Sequence, residues 1–213
     1  MRIRTCLVPV LVVLLVGPGC GSDDSSDSDT PLSAKRYAQI ESVYQAQLSS
    51  DTAETRAEVG RSLKTVGQAC DRLDEGDRLL AAIRKTCGET LRALASLTET
   101  DCANQQACMR LFRRGIEAFD TMIASAHRAD DVIEDAVDDE RCRDALSTPP
   151  KGYDAFEAMR DAMKDLVDAV ESGDQQGGAD ALERMEKAQK DLGKIGSARK
   201  VLSRFRMACG SAA

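Results

Sequence analysis

An all-α fold is predicted by the sequence: a disulfide-stapled helical bundle of about six helices, mainly antiparallel. After residue 31, apolar residues recur at intervals of three and four along nearly the whole chain, which is the spacing of a buried helix face. No segment shows the alternation or the β-branched enrichment of a strand. Six cysteines lie in the same part of the chain, four of them on these apolar faces, where they can join one helix to another.

The first three helices are predicted from their apolar stripes and their end signals. A short helix is expected over residues 33–48. The second begins at Asp51, which is spaced from Glu54 as in a capping box, and it ends near Gly76. The third begins at Asp77 and ends before a polar stretch.

The fourth predicted helix begins near Cys102, and its apolar pattern continues to about Leu146. It is either one long helix or two helices joined near residues 127–130. Pro149 and Pro150 end it, because proline lacks an amide hydrogen and restricts the residue before it.

The last two helices are predicted to form a hairpin. The fifth ends at Gly173, and Asp174 then caps the sixth, which is the chemistry of a tight antiparallel turn. The sixth extends from about Gln175 to Cys209, and a glycine at position 193 and another at 196 are points where it can bend.

The N-terminal segment has the features of an export signal. Arg2 and Arg4 precede the ten-residue apolar run Leu7–Val16, which is followed by small residues. That run is too short to cross a bilayer, since a spanning helix needs about 20 residues. Residues 1–19 are therefore predicted to be a signal peptide that is removed.

Cys20 follows this signal and is itself followed by a stretch of Ser, Asp and Gly. The arrangement resembles a bacterial lipoprotein precursor, and the resemblance is confined to about the first 30 residues. It implies that residues 20–31 comprise a lipidated cysteine and a disordered Ser/Asp tether. The sequence departs from the family's lipobox at Gly17 and Pro18. Cleavage after Gly19 by an ordinary signal peptidase is the alternative.

The resemblance implies an exported protein, held on the extracytoplasmic face of a bacterial membrane by lipid on Cys20. The number of cysteines agrees with this reading, because Cys6 leaves with the signal and an acylated Cys20 leaves an even number to pair. If Cys20 is free, one thiol is left over in an oxidising compartment. The cysteines expected in disulfides are Cys70, Cys87, Cys102, Cys108, Cys142 and Cys209.

Six cysteines allow 15 pairings, and the sequence alone does not choose among them. The preferred pair is Cys142 with Cys209, because an antiparallel return of the sixth helix brings its end back beside the end of the fourth. Pairing Cys87 with Cys108 across the third and fourth helices comes next. Pairing of Cys70 with Cys102 then remains.

The cysteine positions also bear on domain organisation. Cys209 alone follows Pro149 and Pro150, so complete pairing within the chain ties the C-terminal hairpin to the N-terminal helices. Residues 32–213 are therefore predicted to be a single helical domain with a corner at Pro149-Pro150.

The charge balance excludes some partners. The net charge of -7 divides into +2 for the signal, -4 for the tether and -5 for the rest of the chain. An acidic body argues against nucleic acid, and it argues against attachment to anionic lipid through a basic face. The membrane is then reached through the lipid on Cys20. Aromatic residues make up only 3% of the chain, and there is no Trp to serve as a stacking platform.

One cluster of candidate ligands stands out. His127, Asp131, Glu134 and Asp138 lie along one side of a helix, where carboxylates can bind a divalent cation. The opposite side is apolar, with Ala129, Val132, Ile133, Ala136 and Val137. These acids are therefore predicted to form a solvated face, and no metal or cofactor is expected.

The favoured function is a non-enzymatic interaction or structural module that presents a surface to an envelope protein. No nucleophile motif accompanies the single histidine, although a carboxylate pair assembled in space would leave no sequence signal. The alternative is a lipoprotein that binds a small ligand or cation, for sensing or delivery. An apolar groove between helices would favour the ligand, and an exposed apolar patch on a closed core would favour the protein partner.

Overall fold

The helices of this protein were located in a computed structural model, which describes residues 32–51, 53, 55–98, 104–195 and 197–210. In these ranges the chain forms eight α-helices and a 3-10 turn at Leu48–Ser50, without a strand. The helices are α1 Ala34–Gln47, α2 Arg56–Asp71, α3 Arg78–Thr98, α4 Gln105–Ala136, α5 Glu140–Leu146, α6 Pro150–Ser172, α7 Gln175–Ile195 and α8 Ala198–Cys209. The all-α prediction is confirmed. The predicted signal peptide, Cys20 and the tether lie outside the described residues, as do Glu54 and Cys102.

The start of α2 differs from the prediction. The capping box is formed by Thr55 and Glu58, whose side chains each accept a hydrogen bond from the other's backbone N–H at 3.2 and 2.8 Å. Asp51 instead accepts hydrogen bonds from the N–H of Ala198 at 2.9 Å and of Arg199 at 3.3 Å. The predicted box at Asp51 and Glu54 is therefore wrong, because Asp51 caps α8, a helix almost 150 residues further along the chain.

The chain breaks between α4 and α5 later than predicted. Neither predicted form of this region is found: the helix is not continuous to Leu146, and it is not joined near residues 127–130, since α4 continues through them to Ala136 and α5 follows separately. Val137 is extended, with φ -127° and ψ 107°, and the Asp139 carboxylate accepts a hydrogen bond from the N–H of Cys142 at 2.7 Å. The helix restarts at this cap.

The C-terminal hairpin begins and turns as predicted. Pro150 is the first residue of α6, where a proline costs no hydrogen bond. Gly173 ends α6 in the left-handed region, with φ 75°, and Asp174 accepts from the N–H of Gly177 at 3.0 Å. The predicted sixth helix is in fact two, α7 and α8, and the break lies beside position 196, where a bend was predicted.

Two apolar cores organise the bundle. Core 1 joins α1, α5 and α8 to one end of α2, α3 and α4, and its largest members are Leu32, Ile40, Tyr44, Leu73, Leu79, Leu80, Leu146 and Phe205. Core 2 joins the other end of α2 and α3 to the middle of α4, to α6 and to α7, and its largest members are Leu63, Leu94, Phe119, Met122, Ile123, Phe156, Met159 and Leu192. Contacts along their length show that α4 and α6 run antiparallel, as do α1 and α8. None of the described helices combines the length and the apolarity needed to cross a membrane.

Two described disulfides lie in core 1. Cys142–Cys209 joins α5 to α8 and confirms the preferred pairing. Cys70–Cys87 joins α2 to α3, so the predicted pairings of Cys87 with Cys108 and of Cys70 with Cys102 are wrong. The short turn between α2 and α3 brings Cys70 directly opposite Cys87, with 6.3 Å between their Cα atoms. Cys108 is also disulfide-bonded.

Candidate functional site

A polar groove of about 240 Å³ lies between α3 and α4. Its two walls carry opposite charges in equal number, two arginines and two glutamates, around two alanines. The lining residues are Glu89, Arg92, Ala93, Ser96, Arg114, Glu117, Ala118 and Thr121. A groove of this composition suits a ligand or a partner side chain that carries charge, not an apolar one.

Glu89 is the most strongly held of the groove's charged side chains. Its Oε2 accepts hydrogen bonds from the hydroxyl of Ser125 at 2.7 Å and from the guanidinium of Arg128 at 2.5 Å. Burial acts to raise the pKa of Glu89, but these two hydrogen bonds and the charge of Arg128 outweigh it and hold the pKa below its usual value. The groove therefore keeps a fixed negative charge at neutral pH.

Ser125 ties this carboxylate to the helix backbone. The side chain is fully buried, and its hydroxyl also contacts the carbonyl oxygen of Thr121 at 2.5 Å. Thr86 of α3 donates to the carbonyl oxygen of Ser125 at 3.2 Å, across the interface. These hydrogen bonds between Thr86, Glu89 and Ser125 thus fix the register of α3 on α4, and with it the width of the groove.

A second polar cluster lies where α4 meets the start of α6. The rings of His127 and Tyr153 stack with centroids 4.1 Å apart, and the Tyr153 hydroxyl donates to Oδ2 of Asp130 at 2.6 Å. The same carboxylate accepts from the N–H of Thr148 at 3.0 and 3.2 Å. These contacts join α4 to the residue that precedes Pro149, so they brace the proline corner.

The chemistry of this cluster follows from burial. Burial raises the pKa of Asp130, and the hydrogen bonds from Tyr153 and Thr148 offset only part of the increase. Burial also raises the pKa of Tyr153, and its hydrogen bond to Asp130 raises it further. Both oxygens of Asp130 are already engaged by the corner, so the carboxylate acts as a structural acceptor.

The acidic side chains predicted to face solvent are exposed. Asp131, Glu134 and Asp138 are all exposed, and Asp138 lies in the link after α4, not on the helix. Of the predicted apolar face, Ala129, Ile133 and Val137 are buried. Within the described part of the chain, no group of three or more histidine, cysteine or acidic side chains could hold a metal ion.

Sequence reasoning missed the two partly buried carboxylates, Glu89 and Asp130. On the helix, Asp130 lies between the acidic face and the apolar face. A carboxylate at the edge of an apolar face is the only signal in the sequence that this side chain is partly buried. Glu89 and Ser125 are 36 residues apart and gave no signal, because their pairing depends on the register between two helices.

Neither of the two features that would have indicated a function, an apolar groove or an exposed apolar patch, is found among the described residues. The groove is lined by four charged side chains, whereas an apolar groove was expected for a small ligand. Met207, 76% exposed, is the only large apolar side chain exposed among the described residues, so they form no apolar patch for a protein partner. Recognition at these surfaces is therefore expected to be electrostatic.

No protein-family model matches the chain, and no curated protein or solved structure is detectably similar to it.

Proposed function

We propose that this chain is an envelope lipoprotein whose mature N-terminus is a lipid-bearing Cys20. The helical body is then displayed on the extracytoplasmic face of a bacterial membrane. There it acts as a non-enzymatic interaction module for another envelope protein. It needs no cofactor and has no nucleic-acid partner.

The observation that carries this proposal is the state of the cysteines. All five cysteines in the described ranges are disulfide-bonded, which is typical of an oxidising compartment outside the cytoplasm. If Cys108 pairs with Cys102, the one body cysteine left after the two described bridges, no body cysteine needs a partner at Cys20. Cys20 is then available for acylation.

Lipidation is tested by expressing the full chain in a bacterium beside two variants. Mass spectrometry should find a diacylglyceryl group on the N-terminal Cys20 peptide, and the protein should partition into detergent. Cys20→Ala should be released into the aqueous phase. Cys6→Ala is the matched control, since Cys6 belongs to the removed segment, and it should behave like wild type. An unmodified Cys20, or wild type released like Cys20→Ala, would refute the proposal.

The polar groove supports a second candidate function, the binding of a small zwitterionic ligand. Glu89 supplies a fixed negative charge and Arg92 a positive one on the same wall. A ligand held there should appear as an added mass in native mass spectrometry of protein extracted from membranes. Arg92→Glu should abolish the added mass, and Lys187→Glu, on an exposed part of α7, should not. Protein without added mass at physiological ligand concentrations would favour the interaction module.

A further inference from the structure

Helix α8 differs from every other described helix in its charge. It contains four basic residues and no acidic one, whereas each of the other seven contains at least one carboxylate. The basic residues are Arg199, Lys200, Arg204 and Arg206. A helix with a charge of +4 therefore lies within a body whose net charge is -5.

The cations of α8 share one face. Val201, Leu202 and Phe205 are buried in core 1 and define the inner side of the helix. At about 100° per residue, the outward positions fall within an arc of about 160°. They are Arg199, Lys200, Ser203, Arg204, Arg206 and Met207, and we name this surface the α8 face. Met207, the exposed apolar residue, lies in the middle of the arc.

The charge of the α8 face is only partly compensated. Arg206 forms an ion pair with Glu41 of α1 at 2.6 Å. Among the described residues, no carboxylate forms a salt bridge with Arg199, Lys200 or Arg204. Three cations on the α8 face therefore have no salt-bridge partner among the described residues. In the described part of the chain, two carboxylates contact α8: Glu41 pairs with Arg206, and Asp51 accepts from the N–H groups of Ala198 and Arg199. The four cations of the helix and these two acids together leave a local charge of +2.

The α8 face is also within reach of the proposed lipid anchor. Helix α8 packs antiparallel on α1, with the rings of Tyr37 and Phe205 stacked at 5.0 Å between centroids. Leu32, at the start of the described chain, is buried in the same core. Leu32 is 12 residues from Cys20, a distance of at most about 40 Å for an extended chain.

We propose that the α8 face docks on the anionic headgroups of the membrane that holds Cys20. The inference rests on the proposed lipid anchor. Each cation near an anionic surface strengthens binding about five-fold. Met207 enters the headgroup layer between the cations. The net acidic charge of the body argued against attachment to anionic lipid. At the distance of direct contact, however, the charge of the helix that faces the membrane matters more than the net charge of the body.

Vesicle binding tests the face separately from the lipid. The full Cys20→Ala chain, with signal cleavage verified by mass spectrometry, is mixed with vesicles of phosphatidylcholine alone or with 30% phosphatidylglycerol. It should bind the anionic vesicles, be released by 0.5 M NaCl, and not bind the neutral ones. Adding Arg199→Gln, Lys200→Gln and Arg204→Gln should weaken binding about 100-fold. The matched triple Lys164→Gln, Lys187→Gln and Lys190→Gln, on exposed positions of α6 and α7, should have little effect.

Fluorescence locates the contact. The chain contains no Trp, so Met207→Trp in the Cys20→Ala background is a single reporter, and its emission should shift to the blue only with anionic vesicles. Lys190→Trp, on α7, should not shift.

Absence of anionic binding, equal binding to neutral vesicles, or indifference to the α8 triple would each overturn the inference. The inference would also be overturned if a cross-linker placed at position 199 captured an acidic protein while the chain showed no binding to lipid. Mass spectrometry of Cys20 in the wild-type chain decides the anchor independently, so the failure of one proposal is distinguishable from the failure of the other.

Discussion

The two cores of this bundle are built from helices of different length and different separation in sequence. Core 2 is formed mainly by long helices that follow one another in hairpins, α3 with α4 and α6 with α7, and none of its described members is a cysteine. Core 1 closes with α1, α5 and α8, which have 14, 7 and 12 residues and come from the beginning, middle and end of the described chain. Both described disulfides lie in core 1.

The difference shows where covalent links are most useful. Short helices are marginal on their own, and bringing distant segments together costs more closure entropy than forming a hairpin. The bridge Cys142–Cys209 closes a separation of 67 residues and fastens the shortest helix to the last one. The described members of core 2 are joined by apolar contact, mainly along four long helices.

Removing the bridge between α5 and α8 should have the largest effect. Cys142→Ser with Cys209→Ser should lower the free energy of unfolding by about 4 kcal/mol, because the bridge closes 67 residues. Cys70→Ser with Cys87→Ser, which opens a separation of 17 residues, should cost about 3 kcal/mol. Urea denaturation measures both. A smaller loss for the long-range bridge would contradict the division between the cores.

A cavity in core 2 should reduce local stability mainly in the helices that form that core. Leu192 is fully buried, and Leu192→Ala should cost about 3 kcal/mol. Leu80→Ala, at an equally buried site in core 1, is the matched variant. Hydrogen exchange should show protection lost in α6 and α7 for the first, and in α1 and α8 for the second. Equal loss throughout the molecule for both variants would indicate one cooperative unit.

Helix caps offer a comparison at about 1 kcal/mol. Asp51→Ala removes the cap that α8 receives from a distant segment, and Asp174→Ala removes the local cap of α7. Each should lower the free energy of unfolding by about 1 kcal/mol. Only Asp51→Ala should also raise exchange at the amides of Ala198 and Arg199. If Asp51→Ala is neutral, the packing of α8 does not depend on that contact.

Local chemistry explains what could be predicted from sequence. The N-cap at Asp77, the proline corner, and the Gly173 and Asp174 turn each depend on residues that are adjacent in the chain. The pairing of Cys142 with Cys209 followed from the antiparallel return of the C-terminal helices.

Features that depend on contacts between helices could not be predicted in the same way. Asp51 has a capping-box spacing, but only the position of α8 makes it a cap for that helix. The apolar stripe continues across Val137, so it did not indicate the extended link before α5. The fixed charge at Glu89 depends on the register between α3 and α4. The α8 face was hidden because the net charge of the chain has the opposite sign.

The smallest expected effect concerns the brace at the corner between α5 and α6, and it depends on pH. The pKa of Asp130 is raised above its ordinary value of 3.8, so the folded protein binds that proton more tightly than the unfolded chain does. The stability that Asp130 contributes is therefore fully present below about pH 3.8 and is lost as the pH rises through the raised value.

Asp130→Asn keeps an acceptor for Tyr153 and Thr148 but cannot titrate. Denaturation from pH 3 to pH 7 should show the stability of wild type relative to this variant falling as the pH rises. Asp131→Asn, which changes an exposed carboxylate one residue away, controls for net charge. The opposite result would be that wild type becomes more stable relative to Asp130→Asn as the pH rises. The hydrogen bonds to the charged carboxylate would then outweigh the cost of burying its charge. The corner would then be stabilised, not strained, by the charge.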